Sequence, residues 1–174
     1  MRGEPARERR VIVPLDRRHD RHRFRCGVEA LDRYFREQAS QDARRHAATV
    51  WVAQERGTEA VHGFYTLSMA SVQLDRLPDR LRRKLPRYPT VPAVRLGRLA
   101  VALEARGMGL GAHLLLDAMA RSLASEIAWV AFLVDAKDET ARSFYARYGF
   151  ASLMDDPNHL FVARGTMEPL FARR

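Results

Sequence analysis

The sequence predicts an α/β fold, a sheet flanked by helices. Three observations carry this. Strand-like and helix-like hydrophobic periods alternate along the 174 residues instead of segregating. A glycine-rich turn, Arg106-Gly107-Met108-Gly109-Leu110-Gly111, sits between an apolar run and an amphipathic helical pattern. Hydrophobic residues make up 47% of a chain whose length suits one domain, enough to fill a core without disulfide staples. The whole of 1–174 therefore reads as a single domain, with a frayed segment at residues 1–9.

Val11 to Leu15 reads as a first short strand, and Arg17 to Arg25 as a charged loop ending in a Cys26-Gly27 turn. From Val28 to about His46 the residues Leu31, Tyr34, Phe35 and Ala39 recur at helical spacing. Thr49 to Ala53 and Val61 to Leu74 are β-branched and aromatic, as strands are. Pro78 to Pro89 is a basic connection with a short helix, and Pro92 to Val101 is the next strand. After the glycine turn, Leu110, Leu114, Leu115, Ala118 and Met119 mark one helix face. Ile127 to Val134 is an apolar run that fits a buried strand containing Trp129. Asp138 caps a helix from Glu139 to Arg147, which Gly149 ends, and strands at Phe150–Leu153 and Leu160–Ala163 close the chain.

The glycine turn has the chemistry of a phosphate cradle. Glycine lets backbone amides approach a bulky anion, and the following helix adds free N–H groups and a positive dipole end. By itself the pattern is equally a plain turn. It is not a P-loop, because Ala112-His113 follow where Lys-Ser/Thr is required. It is not a dinucleotide fingerprint, because the spacing is G-x-G-x-G.

Charge points to a polyanionic partner. The formal net charge is +9, with 28 arginines and two lysines, Lys84 and Lys137. Residues 76–98 hold eight basic residues against one acid, Asp79, and residues 2–25 hold nine arginines against four acids. Such segments suit an RNA backbone or form a solvated arginine face. One cysteine, Cys26, excludes an internal disulfide framework and fits a reducing compartment. No apolar run approaches 18 residues, so no membrane association is expected, and the chain reads as cytoplasmic. The six histidines lack metal-ligand spacing, so no metal is expected.

A second signal lies in Phe144-Tyr145-Ala146-Arg147-Tyr148-Gly149-Phe150. Most of it reads as the core face of a capped helix. Tyr145 invites another reading, because a phenol is protonated near neutral pH and can serve a thiolate leaving group.

Together, Arg98-Leu99-Ala100-Val101, the turn from Arg106 to Gly111, and Val134 to Phe150 resemble the GNAT acetyltransferases. The resemblance implies the GNAT fold, a mixed and mostly antiparallel sheet splayed between its two central strands. It implies acetyl-CoA as co-substrate, with the pyrophosphate on the amides of the glycine turn and the pantetheine arm beside the preceding strand. The implied cofactor-binding residues are Leu99, Ala100, Val101, Arg106, Gly107, Met108, Gly109, Leu110, Gly111, Ala112, Asp138 and Ser143. Asp138 stands where the family usually has Asn, and Ser143 fits a helix surface equally well. The implied general acid is Tyr145.

Phe24-Arg25-Cys26-Gly27 with Leu31-Asp32-Arg33-Tyr34-Phe35, Gly63 to Ser68, and Pro89 to Val101 resemble the GNAT toxins of toxin–antitoxin pairs. Ala102 departs from the Asp usual there. This resemblance implies acetylation of the free amine of an aminoacyl-tRNA, and hence a block on translation. It implies neutralisation by a small antitoxin of ribbon-helix-helix type, and a homodimer. Candidate tRNA contacts are Arg82, Arg83, Lys84, Arg87, Arg95 and Arg98, the last two equally compatible with a solvated strand edge. Two alternatives stay open at this stage: an N-acetyltransferase for a protein or small-molecule amine, and a non-catalytic module that binds nucleic acid or an antitoxin.

Overall fold

The computed structural model describes residues 10–172. The N-terminal segment expected to fray lies outside the described residues. Seven strands form one sheet: β1 (Arg10–Pro14), β2 (Thr49–Glu55), β3 (Val61–Gln73), β4 (Thr90–Val101), β5 (Ala131–Asp135), β6 (Ala151–Ser152) and β7 (His159–Ala163). Their order is β1-β2-β3-β4-β5-β7-β6. The pairings β1–β2, β2–β3, β5–β7 and β6–β7 are antiparallel. β4 and β5 are parallel, with α4 (Leu110–Leu123) in the connection between them. The remaining helices are α1 (Glu29–Glu37), α2 (Ala39–Arg44), α3 (Asp79–Arg82), α5 (Glu139–Ala146) and α6 (Arg164–Phe171), with single 3-10 turns at Leu74–Arg76 and Leu103–Ala105.

The chain clusters into two compact units, Met1–Leu67 with Arg98–Ala118, and Ser68–Gly97 with Met119–Arg174. The first is built around aromatic rings. Phe35 stacks on Phe64 at 4.4 Å, and Phe24 meets both edge-on at 5.0 and 5.4 Å. Gly63 is required by close approach. A Cβ there would lie 2.8 Å from Leu114 Cδ1 and 3.0 Å from the Ala100 carbonyl oxygen. The α4 face expected from spacing is the buried face, with Leu114, Leu115, Ala118 and Met119 all at 0% exposure.

The single helix expected over 28–46 is two helices, α1 and α2, broken at Gln38 (φ −115°, ψ −33°). The Tyr34 hydroxyl donates to Asp42 Oδ2 at 2.8 Å. In a straight helix the Tyr34 side chain leans toward the N-terminus, away from a residue about 12 Å further along the axis; the bond and the break go together. The break also buries Ala39 completely.

The second unit packs Val72, Leu77, Val91, Ala93, Ala131, Leu133, Leu153 and Phe161 into one cluster. The strand expected from Ile127 begins only at Ala131. Ile127 is 61% exposed, and its amide donates to Ser125 Oγ at 3.2 Å in a turn. Trp129 is core as expected but precedes the strand; its indole N–H donates to the Ser122 carbonyl. Helix α6 has no counterpart in the sequence reading, because Gly165 and Pro169 interrupt its helical pattern. Buried Met167 anchors it.

Candidate active site

The first unit supplies a backbone surface. Pairing of β4 with β5 ends at Leu96–Val134, and β4 runs on through Leu99, Ala100 and Val101. The Ala102 amide then bonds the His62 carbonyl at 2.8 Å, and the 3-10 turn Leu103–Ala105 follows. Gly107 and Gly109 both have positive φ, 74° and 73°. L side chains rarely adopt that conformation. A Cβ on Gly107 would meet nothing within 4 Å, so the space over the turn is open. The first bond of α4 runs from the His113 amide to the Gly109 carbonyl, which leaves the amides of Leu110, Gly111 and Ala112 in the unbonded first turn. Met108 is 38% exposed at the tip, with Sδ 3.7 Å from the Arg10 guanidinium. Open space, two left-handed glycines and a helix start fit a pyrophosphate. Arg106 behaves differently from its neighbours: its guanidinium donates to the Cys26 carbonyl.

The second unit supplies a side chain. Asp138 caps α5, its Oδ1 accepting from the Ala141 amide at 2.8 Å, as the sequence predicts. That cap sets the start of a helix that buries Tyr145 to 9% exposure among Phe144 and Phe150, at 5.1 and 5.4 Å between ring centroids. Its hydroxyl bonds to none of the described residues. The ring is buried while the hydroxyl oxygen keeps contact with solvent; among the described residues the one buried side-chain N or O atom without a partner is His62 Nδ1. Burial pushes the Tyr145 pKa up to about 12, and the negative charge of Asp135 adds to the rise. Ser143 is exposed and lines a cleft of about 230 Å³ with Glu139, Arg142, Phe150 and Ser152.

The six candidate tRNA residues fall into two sets. Arg82 is paired with Asp79, and Arg95 lies 3.1 Å from Asp135. Arg98 is in the first unit, with its guanidinium carbon 3.5 Å from the centroid of the Tyr34 ring. These three are engaged within the protein. Arg83, Lys84 and Arg87 are exposed and make no ion pair among the described residues. Cys26 is buried, and burial pushes its thiol up to about 11, so it is inert as a nucleophile. Among the described residues no group of three His, Cys, Asp or Glu is placed to hold a metal ion, and no helix is long and apolar enough to cross a membrane.

Sequence reasoning missed Asp135. It closes β5, lies 3.6 Å from His159 Nε2, and is the charge that acts on Tyr145. His159 in turn contacts Arg76, whose guanidinium pairs with Asp155 at 2.9 Å. The only sequence signal was a carboxylate ending the apolar run at Val134-Asp135.

Residues 46–152 match the acetyltransferase (GNAT) domain family. A probable toxin TacT of Sinorhizobium fredii is 31% identical over 93% of this chain and 95% of its own length. A tRNA-acetylating toxin of Mycobacterium tuberculosis is 38% identical over 80% of this chain and 82% of its own. The structure of AtaT complexed with acetyl-methionyl-tRNAfMet superposes with a TM-score of 0.86 at 30% identity, covering 93% of this chain and 99% of that one. That of AtaTR bound with acetyl-CoA gives 0.79 at 32% identity, covering 94% and 99%. With the glycine turn and the capped tyrosine helix both formed, the chain belongs to the GNAT acetyltransferases, in the toxin group these relatives represent.

Proposed function

We propose that this protein transfers the acetyl group of acetyl-CoA to the α-amino group of an aminoacyl-tRNA, with Tyr145 as general acid, and that a cognate antitoxin restrains it. The observation that carries the reading is the Tyr145 hydroxyl, on a buried ring yet without a partner among the described residues. The oxygen is not among the buried, unpartnered polar atoms of the described residues, so it reaches solvent and is open to a ligand. The relatives act on tRNA or are solved with tRNA, acetyl-CoA or antitoxin, and the same chemistry suits these residues.

The amides of Gly107 through Ala112 hold the pyrophosphate of acetyl-CoA, and the edge of Leu99 to Val101 aligns its pantetheine arm. Backbone N–H groups of that edge polarise the acetyl carbonyl. The neutral amine attacks the carbonyl carbon, the C–S bond breaks, and Tyr145 donates its proton to the departing sulfur. The amine releases its own proton to solvent, and the Tyr145 phenolate takes a proton back from solvent before the next turnover. No strong protein base is needed, because an aminoacyl ester amine is less basic than lysine and is partly neutral at cellular pH. The Tyr145 phenol, with its pKa near 12, carries its proton throughout that range. Arg83, Lys84 and Arg87 meet the RNA backbone. Such chemistry belongs in the cytoplasm.

The test is transfer of labelled acetyl from acetyl-CoA into a panel of charged tRNAs, with peptides and polyamines as competing acceptors. Label on one or more charged tRNAs, alkali-labile with the aminoacyl ester, is the expected result. Label on peptides alone would reassign the acceptor.

A further inference from the structure

The Phe24-Arg25-Cys26-Gly27…Asp32 motif takes no part in the chemistry above. Its surroundings give it a task. Two consecutive carbonyls of this loop accept hydrogen bonds from the segment that leads into the glycine turn. The Leu103 amide donates to the Arg25 carbonyl at 2.9 Å, and the Arg106 guanidinium donates to the Cys26 carbonyl. The loop is itself pinned from α1. Asp32, 4% exposed, accepts from the Cys26 amide at 2.8 Å through Oδ1. Cys26 Sγ lies 3.7 Å from the Val28 carbonyl, and the Phe24 ring is locked between Phe35 and Phe64. Gly27, at φ +84°, leaves room for Arg106: a Cβ there would come 3.3 Å from Arg106 Nη2 and 3.3 Å from Leu103 Cδ2.

We infer that this motif is a brace for the pyrophosphate turn, and that Asp32, Gly27 and Arg106 are positioning residues for acetyl-CoA. The need follows from the turn's composition. Glycines at 107, 109 and 111 loosen the backbone whose amides must hold the phosphates. Helix α4 fixes the far end of the turn. The near end is held at Arg106, the residue before Gly107, by its amide on the Leu103 carbonyl at 3.3 Å and by its guanidinium on the Cys26 carbonyl. Its side chain reaches back to a loop anchored on buried Asp32, so the amides are arranged before the ligand arrives. Preorganisation of this kind raises affinity without adding a contact to the ligand. It also explains why an arginine next to a phosphate cradle has its guanidinium on a backbone carbonyl.

The inference rests on the acetyl-CoA reading, and the experiment separates the two. Acetyl-CoA binding is measured by calorimetry, with KM and kcat on charged tRNA and thermal melting in parallel, for R106M, R106K, D32A, D32N and G27A. R106M, at an exposed position, keeps the fold and loses the donor. It is expected to weaken acetyl-CoA binding about tenfold, with the loss in KM for acetyl-CoA and not in kcat. R106K restores part of the affinity, and D32N, which keeps the acceptor oxygen, restores most of what D32A loses. G27A weakens binding in the same direction, and D32A with R106M together cost less than the sum of the two. Additive losses from D32A and R106M would mean that Arg106 contacts phosphate directly, and would overturn the brace. So would wild-type affinity in R106M. If the wild-type protein itself binds no acetyl-CoA, the functional reading fails instead.

Discussion

The glycine turn and the tyrosine helix serve one proposed reaction by opposite means. The turn, in the first unit, offers backbone: two left-handed glycines, open space above them, and the unbonded amides that begin α4. The helix, in the second unit, offers one hydroxyl on a buried ring. A backbone cradle shares its work over several weak donors, so a single change reduces binding by degrees. A lone proton donor has no deputy, so its loss falls on the chemical step. The contrast separates the two regions by kinetics: KM for the turn, kcat for the tyrosine.

The sharpest way to break that contrast is Tyr145→Phe. It removes only an oxygen that bonds no described residue. The expected fall in kcat is about 10²–10⁴, typical of losing a general acid, with acetyl-CoA affinity by calorimetry unchanged. A variant that turns over at the wild-type rate removes Tyr145 from the chemistry.

Gly107→Ala comes next. The added Cβ meets no atom, so its effect comes from the left-handed φ alone, about 1–2 kcal/mol. KM for acetyl-CoA rises about tenfold if that strain falls on the bound turn, while kcat at saturation is retained. A loss confined to kcat would erase the distinction between the regions.

Neutralising Arg83, Lys84 and Arg87 together tests the acceptor side. KM for charged tRNA rises, and the slope of log affinity against log salt falls by roughly 0.7 for each lost phosphate contact. Acetyl-CoA binding is unaffected.

Asp138→Ala removes the cap of α5 and costs about 1 kcal/mol, read as a lowered melting temperature. Asp138→Asn keeps an acceptor for the Ala141 amide and stays near wild type.

The pH profile has the smallest expected effect at the tyrosine. A general acid works while protonated, so activity is lost only as pH rises through its folded pKa. For Tyr145 that lies near 12. Between pH 6 and 9 the rate therefore rises to a plateau as the acceptor amine deprotonates, with no alkaline fall. A descending limb near pH 8 to 9 would assign the acid to another group.

Much of this is legible in the residue order alone. The spacing of Leu110, Leu114, Leu115, Ala118 and Met119 identified the buried face of α4, because a helix exposes its period directly in the residue order. Asp138 announced a cap for the same reason: capping is local, and its partner is three residues away. The break at Gln38 was not legible. It goes with a bond between Tyr34 and Asp42, a pairing that no periodicity encodes. Nor was the late start of β5, where apolar Ile127 reads as strand but belongs to a turn.

The site divides along the same line. The sequence by itself determined the glycine turn, the tyrosine and the basic segment, because each is a property of neighbouring residues. Only the tertiary structure decided which members are free to act. Arg106 spends its guanidinium on Cys26, 80 residues away; Arg95 is tied to Asp135, and Arg98 lies over Tyr34. Tyr145 keeps a buried ring whose hydroxyl bonds to none of the described residues. The physical reason is that an arginine's donors and a phenol's proton are satisfied by whatever the fold brings within hydrogen-bond reach. Residue order states which groups exist; packing states which are already taken.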